Sequence, residues 1–284
     1  MKNKKYLIGI FVFILCFFLL CVGIKYRVER EISSYDLCIT NLNVGKADAA
    51  IIQCGDAVGM IDTGIKEKYD VIETFLDDNE IEKLNFLLLT HYDKDHIGCA
   101  KKIIKKYEID VIFLPDYESE KAQYDSLISL CDELTNVHYV GSDETFSYGD
   151  LVMEIIPAEK GGEILLCDES SYDNNMSLVS KLRYGDNTFL FTGDIEAVRI
   201  DRLIASGVDL KSDWIKMPHH AVYDEEQDKL LDKVSPQYAI ISTSNDDIED
   251  RRTIQLLDEY SIRYYITGNG DITTFSNGEK IIIK

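Results

Sequence analysis

The sequence is poor in proline and in positive charge. Only 4 of its 284 residues are proline, while hydrophobic residues make up 45%. This composition is typical of globular proteins and excludes a disordered or collagen-like chain. Lys and Arg number 30 against 51 Asp and Glu, so the formal net charge is −21. The excess of acid argues against a protein that coats nucleic acid non-specifically, because such proteins carry a basic face.

Paired cysteines and linker-like segments are also missing. The 7 cysteines are odd in number, and no two of them have Cys-x-x-Cys spacing. They therefore indicate neither a disulfide framework nor a thiolate zinc site, and we expect most of them to be small core residues. No Gly/Ser-rich or Pro-rich linker, low-complexity tract or internal repeat follows residue 32. Residues 31–284 are accordingly predicted to form one domain.

One long uncharged run lies near the amino end, at residues 6–24. At about 1.5 Å per residue, a helix of this length spans roughly 28 Å, close to the thickness of a bilayer core. The run is longer than the roughly 7–15 residues of a signal-peptide core, and no small-x-small cleavage motif follows it. We therefore predict that residues 1–30 form an uncleaved, single-pass membrane anchor, with a cleaved signal peptide as the alternative.

The charges beside this run bear on its orientation. Three lysines precede it, and three basic residues diluted by two glutamates follow it. The positive-inside rule then favours a cytoplasmic amino end and an extracytoplasmic domain. Without residues 1–30 the chain keeps 24 basic and 50 acidic side chains, a net charge of −26. The predicted external domain is thus more acidic than the whole chain.

Apolar patterning predicts strands in runs, followed by strands that alternate with helices. The predicted strands are residues 37–42, 49–53, 58–61, 84–89, 111–114, 137–140, 151–156, 177–184, 188–192, 214–217, 238–242, 264–267, 272–275 and 281–283. The predicted helices are residues 68–76, 100–107, 122–134, 195–205, 226–234 and 253–260. This mixture favours two packed sheets covered by helices, a layered α/β or α+β domain.

Metal-ligand residue types are concentrated directly after the apolar strand at residues 84–89. His91, Asp93, Asp95 and His96 occur within six residues. A loop at this point can direct the first two side chains to one side and the last two to the other. Two such half-sites suit a pair of cations about 3.5–4 Å apart. The density of ligand types favours a metal site over a solvated polar loop.

Further candidates follow later strands. The pair His219 and His220 is weak evidence alone, but a site that already holds two histidines strengthens it. Asp194 is either a helix N-cap or a carboxylate that bridges two cations. Asp62 is either a turn residue or a partner that orients a ligating histidine. His138 lies within a strand pattern and is interpreted as structural or exposed.

In order and spacing these motifs resemble the metallo-β-lactamase fold superfamily over residues 35–284. The matching motifs are Asp62-Thr63-Gly64, His91-x-Asp93-x-Asp95-His96, Gly193-Asp194 and His219-His220. More narrowly, the sequence is similar to the hydrolase domain of the ComEC family. Members of that family have an Asp in place of the middle His of the signature, as Asp93 is here. They also have a first-strand motif like residues 43–49, which includes Asp48, and an Asn-x-Ser motif like residues 175–177.

The resemblance implies an αββα sandwich with a dinuclear metal site at one edge and hydrolysis by a metal-bound hydroxide. The implied ligands are His91 and Asp93 on one metal, Asp95 and His96 on the other, Asp194 between them, and either His219 or His220 on the second. Asp95 or Asp194 would take the proton of the attacking group. Asp48 and Asp62 would lie beside the ligands or the substrate.

The sequence departs from the family pattern at several positions. Residues 167–177 contain no His where the superfamily has its third-motif His, so Asn175 or Asp173 is the candidate substitute. ComEC-like sequences read Gly-Gln-Gly-Asp and His-His-Gly-Ser, whereas this chain has Lys46-Ala47 and Ala221-Val222 at the corresponding positions. These departures raise the share of oxygen ligands and lower that of nitrogen ligands, and oxygen-rich sites favour harder cations such as Mn²⁺. We therefore expect two divalent ions and the highest activity with Mn²⁺, although Zn²⁺ generally binds more tightly.

Three functions remain open at this point. The first is a membrane-anchored, metal-dependent phosphodiesterase that acts on nucleic acid or a related phosphodiester. The negative charge opposes it unless basic residues such as Lys94, Lys181, Arg183 and Lys216 gather at the site. The second is hydrolysis of a small ester, lactam, lactone or envelope substrate, since the fold serves all of these. The third is a catalytically weakened binding module. Apart from the membrane at residues 6–24, no feature indicates a stable protein partner.

Overall fold

The computed structural model of the protein describes residues 35–134, 136–161, 164, 167, 169–244 and 250–284. Two sheets pack face to face and helices cover both outer faces, which gives the αββα sandwich expected from the sequence. The predicted anchor at residues 6–24 lies outside the described residues. No helix within the described part of the chain is long and apolar enough to cross a membrane.

The first sheet comes mainly from the first half of the chain. Its strands, in spatial order, are β15 (Ile281–Ile283), β14 (Ile272–Ser276), β1 (Leu37–Asn41), β2 (Ala50–Cys54), β3 (Ala57–Ile61), β4 (Lys83–Leu88), β5 (Glu108–Pro115) and β6 (Val137–Val140). Neighbours from β15 to β3 are antiparallel, and those from β3 to β6 are parallel. The carboxyl ends of β3 and β4 therefore lie side by side at one edge.

The second sheet comes from the second half of the chain. Its strands, in spatial order, are β13 (Arg263–Ile266), β12 (Tyr238–Ile241), β11 (Trp214–Lys216), β10 (Asn187–Phe191), β9 (Val179–Tyr184), β8 (Leu151–Ile156) and β7 (Glu144–Tyr148). Neighbours from β13 to β10 are parallel, and the others are antiparallel. This arrangement brings the carboxyl ends of β10 and β11 together.

Apolar side chains fill the space between the sheets, and helices bury the outer faces. Fully buried aromatic residues such as Phe86, Phe189 and Trp214 lie in the central layer. Helices α1 (Tyr69–Asp78), α3 (Ala100–Lys106) and α4 (Tyr124–Cys131) cover the first sheet. Helices α6 (Ala197–Ser206), α7 (Gln227–Val234) and α8 (Arg251–Glu259) cover the second sheet. None of the five described cysteines is in a disulfide among the described residues, and three of them are buried, as expected for core residues.

Two α-helices, one strand and a 3₁₀ helix described in the structure were not predicted from the sequence. Helices α2 (Lys94–Ile97) and α5 (Glu169–Asn175) are short and rich in polar residues, so they lack an apolar helical period. Strand β7 lies at an edge of the second sheet, where only Phe146 and Tyr148 pack on the central layer. A 3₁₀ helix at Pro218–Ala221 follows β11 and carries the histidine pair.

Candidate metal centre

The candidate centre lies where strands of both sheets end. Asp62 follows β3, the segment 90–96 follows β4, Asp194 follows β10, and the histidine pair follows β11. Four side chains place a ligand atom each within 4.8 Å of one another: Asp95, His96, Asp194 and His220. A second such group consists of Asp48, Asp62 and His96. The fold thus gathers residues that are far apart in the sequence, because parallel strands in each sheet end at the same edge.

His96 is held between two carboxylates. Its Nδ1 lies 2.8 Å from Asp62 Oδ2, and its Nε2 lies 3.2 Å from Asp194 Oδ2. Asp62 also accepts hydrogen bonds from the backbone N–H and the hydroxyl of Thr90, each at 2.8 Å. Asp62 therefore orients a histidine, one of the two roles predicted for it. The contact favours a proton on Nδ1 and leaves Nε2 facing Asp194.

His91 is oriented through the same network. The Thr90 hydroxyl donates to Asp62, so its oxygen accepts a hydrogen bond from His91 Nδ1 at 3.0 Å. The ring is fully buried, and its Nε2 has no hydrogen-bond partner. Burial and the neighbouring His96 lower the pKa of His91 to about 3. The His91 ring is thus neutral, with an unshared electron pair on a buried nitrogen.

The structure distinguishes His220 from His219. His220 Nδ1 lies 3.1 Å from the Ser242 carbonyl oxygen, which can only accept, so Nδ1 carries the proton. Its Nε2 lies 3.2 Å from Asp95 Oδ2 and 3.4 Å from Asp194 Oδ2. Residues 219–221 all have left-handed backbone angles, with φ of 48°, 54° and 63°. This backbone turns His219 to Glu196, 3.3 Å away, and leaves it outside the group.

The Asp48 carboxylate lies near His220 and forms an ion pair with Lys216. Lys216 Nζ lies 2.9 Å from Asp48 Oδ2 and donates to the Met217 carbonyl at 3.0 Å. Asp48 Oδ1 is 3.7 Å from His220 Nδ1 and makes no hydrogen bond. Burial alone would raise the pKa of Asp48, but Lys216 lowers it below its ordinary value. Of the basic residues whose gathering at the site would favour a polyanionic substrate, Lys216 is therefore already paired with Asp48, and Lys181 pairs with Asp209.

The remaining predicted ligands lie outside both groups. The Asp93 carboxylate is 2.7 Å from Lys121 Nζ. Asn175 Oδ1 accepts from the backbone N–H groups of Glu196 and Arg199, so it holds the start of α6. Asp173 Oδ1, the other substitute for the missing histidine, accepts hydrogen bonds from the hydroxyls of Tyr117 and Ser119. His138, interpreted as structural or exposed, pairs with Glu144 at 2.7 Å and is partly exposed.

The buried polar atoms of the centre fit a bound cation. His91 Nε2, His96 Nε2 and Asp194 Oδ1 are all buried without a hydrogen bond, a costly arrangement unless another partner is present. Burial opposes a charge on His96 and His220, yet Asp194 raises the pKa of His96 well above its usual value and that of His220 to about 9. Carboxylates that stabilise extra positive charge, together with imidazole rings such as the neutral His91, match the donor set of Zn²⁺ or Mn²⁺.

Three contributors to this centre were not found by sequence reasoning. Thr90 could have been found, because it directly precedes His91 at the end of an apolar strand. Lys121 and Glu196 contact Asp93 and His219 only through the fold. Neither residue belongs to a motif, so the sequence carries no signal for them.

Comparisons with known proteins agree with this fold. A family model described as the metallo-beta-lactamase superfamily matches residues 42–124. The Bacillus subtilis (strain 168) protein "ComE operon protein 3" is 27% identical over 207 residues, which cover 71% of this chain and 26% of that protein. "Recombination protein 2" of Haemophilus influenzae is 28% identical over 160 residues, 56% of this chain and 18% of that protein. The matches thus span about a quarter or less of these relatives.

A solved structure shows the same architecture. The metallo-beta-lactamase fold protein YhfI from Bacillus subtilis superposes with a TM-score of 0.55 at 12% sequence identity, covering 88% of this chain and all of that chain. At this identity the likeness concerns the fold alone. Fold, family match and the order of the motifs agree, and the chain therefore contains a metallo-β-lactamase superfamily domain similar in sequence to the ComEC-like proteins.

Proposed function

We propose that this domain is a metal-dependent hydrolase that cleaves phosphodiesters, in nucleic acid or a related substrate. The observation that carries the metal dependence is the shared orientation of three buried histidines. His91, His96 and His220 each turn Nδ1 to an oxygen of the protein, while Nε2 is unpartnered in His91 and lies against the carboxylates of Asp194 and Asp95 in the other two. A protein that used these rings only for packing would not need to turn Nδ1 of all three to protein oxygens and Nε2 of two of them to carboxylates.

The residues divide the centre into two halves. Asp95, His96 and His220 would hold one divalent cation, His91 with Asp93 would hold a second, and Asp194 would lie between the two, as the resemblance implies. Cations bound there would polarise the scissile group and lower the pKa of a water molecule towards about 7. We propose Mn²⁺ as the more active ion, because Asp93 takes the place of the middle histidine of the signature and the third-motif histidine is missing, and Zn²⁺ as the tighter one.

Asp95 is the better candidate for accepting a proton. Its side chain is 25% exposed, whereas Asp194 is 4% exposed and faces two histidines. Asp95 can therefore reach both the centre and entering water or substrate. His220 Nε2, 3.2 Å from Asp95 Oδ2, fixes the position of this carboxylate.

Support for phosphodiester as the substrate class comes from the ComEC-like sequence and from a relative named for recombination. The net charge of −26 on residues 31–284 counts against a long polyanion. A small phosphodiester or another small ester is therefore a candidate substrate in addition to nucleic acid.

The test uses the purified full chain, stripped with a chelator and restored with one metal at a time. Substrates are single-stranded DNA, a chromogenic phosphodiester, a chromogenic ester and a chromogenic lactam. We expect diester cleavage that Mn²⁺ restores best and that Asp194→Asn abolishes. Cleavage of the ester or lactam alone would contradict the substrate class, and recovery with Zn²⁺ but not Mn²⁺ would contradict the metal preference. Metal binding without hydrolysis of any of the four would favour a binding module.

A further inference from the structure

The two halves of the candidate centre are unequally prepared for a cation. In one half, four ligand atoms lie within 4.8 Å of one another. In the other half, His91 Nε2 is unpartnered, but the Asp93 carboxylate already contacts an ammonium group. Asp93 Oδ1 and Lys121 Nζ lie 2.7 Å apart and form an ion pair, and Asp93 Oδ1 makes no hydrogen bond of good geometry.

Lys121 is held at this position by its own loop. Its backbone N–H donates to Ser119 Oγ, and its carbonyl accepts from the N–H of Tyr124 at the start of α4. Ser119 and Tyr117 in turn donate to the buried carboxylate of Asp173. The loop is thus anchored at several points, and the lysine side chain is only 20% exposed.

The pairing changes what a cation would meet in this half. A divalent ion on Asp93 must either displace the ammonium group or stay close to it, and both cost free energy because like charges repel. The residues that could replace the missing third-motif histidine do not compensate, since Asn175 holds the start of α6 and Asp173 holds the loop of Lys121. Within this half, His91 Nε2 makes no hydrogen bond to the described residues, whereas Asp93 Oδ1 has the Lys121 ammonium group as its counter-ion.

We propose that Lys121 competes with a divalent cation for Asp93, so that the half containing His91 and Asp93 loads after the other half and more weakly. This inference rests on the proposed metal-dependent function. Lys121 acts on the centre through Asp93 and is a positioning residue. Its loss should strengthen binding of the second cation and leave the first unchanged.

The experiment titrates Mn²⁺ into the metal-stripped full chain and measures each binding step by calorimetry, with elemental analysis for stoichiometry. We expect one tight step and one weaker step. Lys121→Gln should tighten the weaker step at least tenfold, or make it visible if the native chain shows only one ion. The matched control is Lys101→Gln, which removes the same charge from an exposed lysine that donates to Ser126. It should change neither step.

A double-mutant cycle tests whether Lys121 acts through Asp93. In the Asp93→Asn background, Lys121→Gln should no longer tighten the second step. Two equal steps in the native chain would overturn the inference and leave the proposed hydrolase intact, as would a second step that Lys121→Gln does not strengthen. Failure to bind any Mn²⁺ or Zn²⁺ would instead overturn the proposed function.

Discussion

The histidines of the centre are positioned by oxygen atoms outside the group formed by Asp95, His96, Asp194 and His220. Asp62, Thr90 and the Ser242 carbonyl receive the Nδ1 protons of three histidines. Loss of such an outer partner typically lowers metal affinity or activity about 10–100-fold. Loss of a residue inside the cluster should cost more, because it removes a charge as well as an orientation.

The first prediction concerns the carboxylate shared by two histidines. Asp194→Asn should reduce hydrolysis by more than about 100-fold, since it weakens the positive centre that activates water. Asp95→Asn should act in the same direction. Both variants should still unfold in a cooperative thermal transition, which would show that they are folded. Asp201→Asn, on an exposed pair with Lys229, is the control and should keep full activity. A variant of Asp194 with native activity would remove this residue from the site.

The second prediction concerns pH and the metal-free protein. In the folded chain Asp194 and neighbouring carboxylates raise the pKa of His220 to about 9 against burial, from an ordinary 6.5. The stabilisation from its proton is complete below about pH 6.5 and is lost as pH rises through about 9. The pKa of His96 is raised in the same direction.

The melting temperature of the stripped protein should therefore fall between pH 6.5 and 9, and His220→Gln should flatten the decline. Saturation with Mn²⁺ should also flatten it, because a ligating histidine carries no proton at Nε2. A stripped protein whose melting temperature is constant across this range would contradict the assignment.

At the scale of elements, apolar strands were the most predictable part of the molecule. The strand expected at residues 84–89 is observed at Lys83–Leu88, because four of its six residues are apolar and buried in a parallel part of the sheet. The elements that carry the candidate metal ligands were less predictable. Helix α2 is one turn long, and its shape depends on contacts with the loop at residues 64–66 that no periodicity records.

The choice between the two adjacent histidines was also beyond sequence reasoning. It depends on three successive left-handed residues, 219–221, and none of them is a glycine that would signal this backbone. The partner of Asp93 was missed for a similar reason, since Lys121 reaches it through tertiary structure alone.

The third prediction concerns the packing of α2. A Cβ atom on Gly98 would lie 2.5 Å from the backbone atoms Lys66 N and Lys94 O, which cannot move aside cheaply. Gly98→Ala should lower the free energy of unfolding by about 1–3 kcal/mol and weaken metal binding, because it displaces Asp95 and His96. Gly141→Ala, whose Cβ would meet only an Asp116 oxygen at 3.4 Å, is the control for denaturant unfolding and metal titration. Equal stability of both variants would show that α2 tolerates displacement.

At the scale of the whole molecule, the anchor remains a prediction. It concerns residues 6–24, outside the described part of the chain. We expect the run to stay attached and to hold the domain at the outer face of the membrane. Mass spectrometry of the membrane fraction should recover peptides that begin before residue 24, and added protease should digest the domain in intact cells lacking an outer barrier. A mature chain that starts after residue 24 in the membrane-free fraction would contradict the prediction.

The contact between His220 and Asp95 joins residues that are 125 positions apart in the sequence. Asp95 follows a strand of the first sheet, and His220 follows a strand of the second. A cation bound there would act as a removable cross-link between the two halves of the sandwich. Since such a link binds only the folded chain, it would add about 2.7 kcal/mol to stability when the free ion is 100-fold above its dissociation constant. Scarcity of the ion would then shorten the lifetime of the protein as well as stop its chemistry, so its abundance would follow the metal supply of its surroundings.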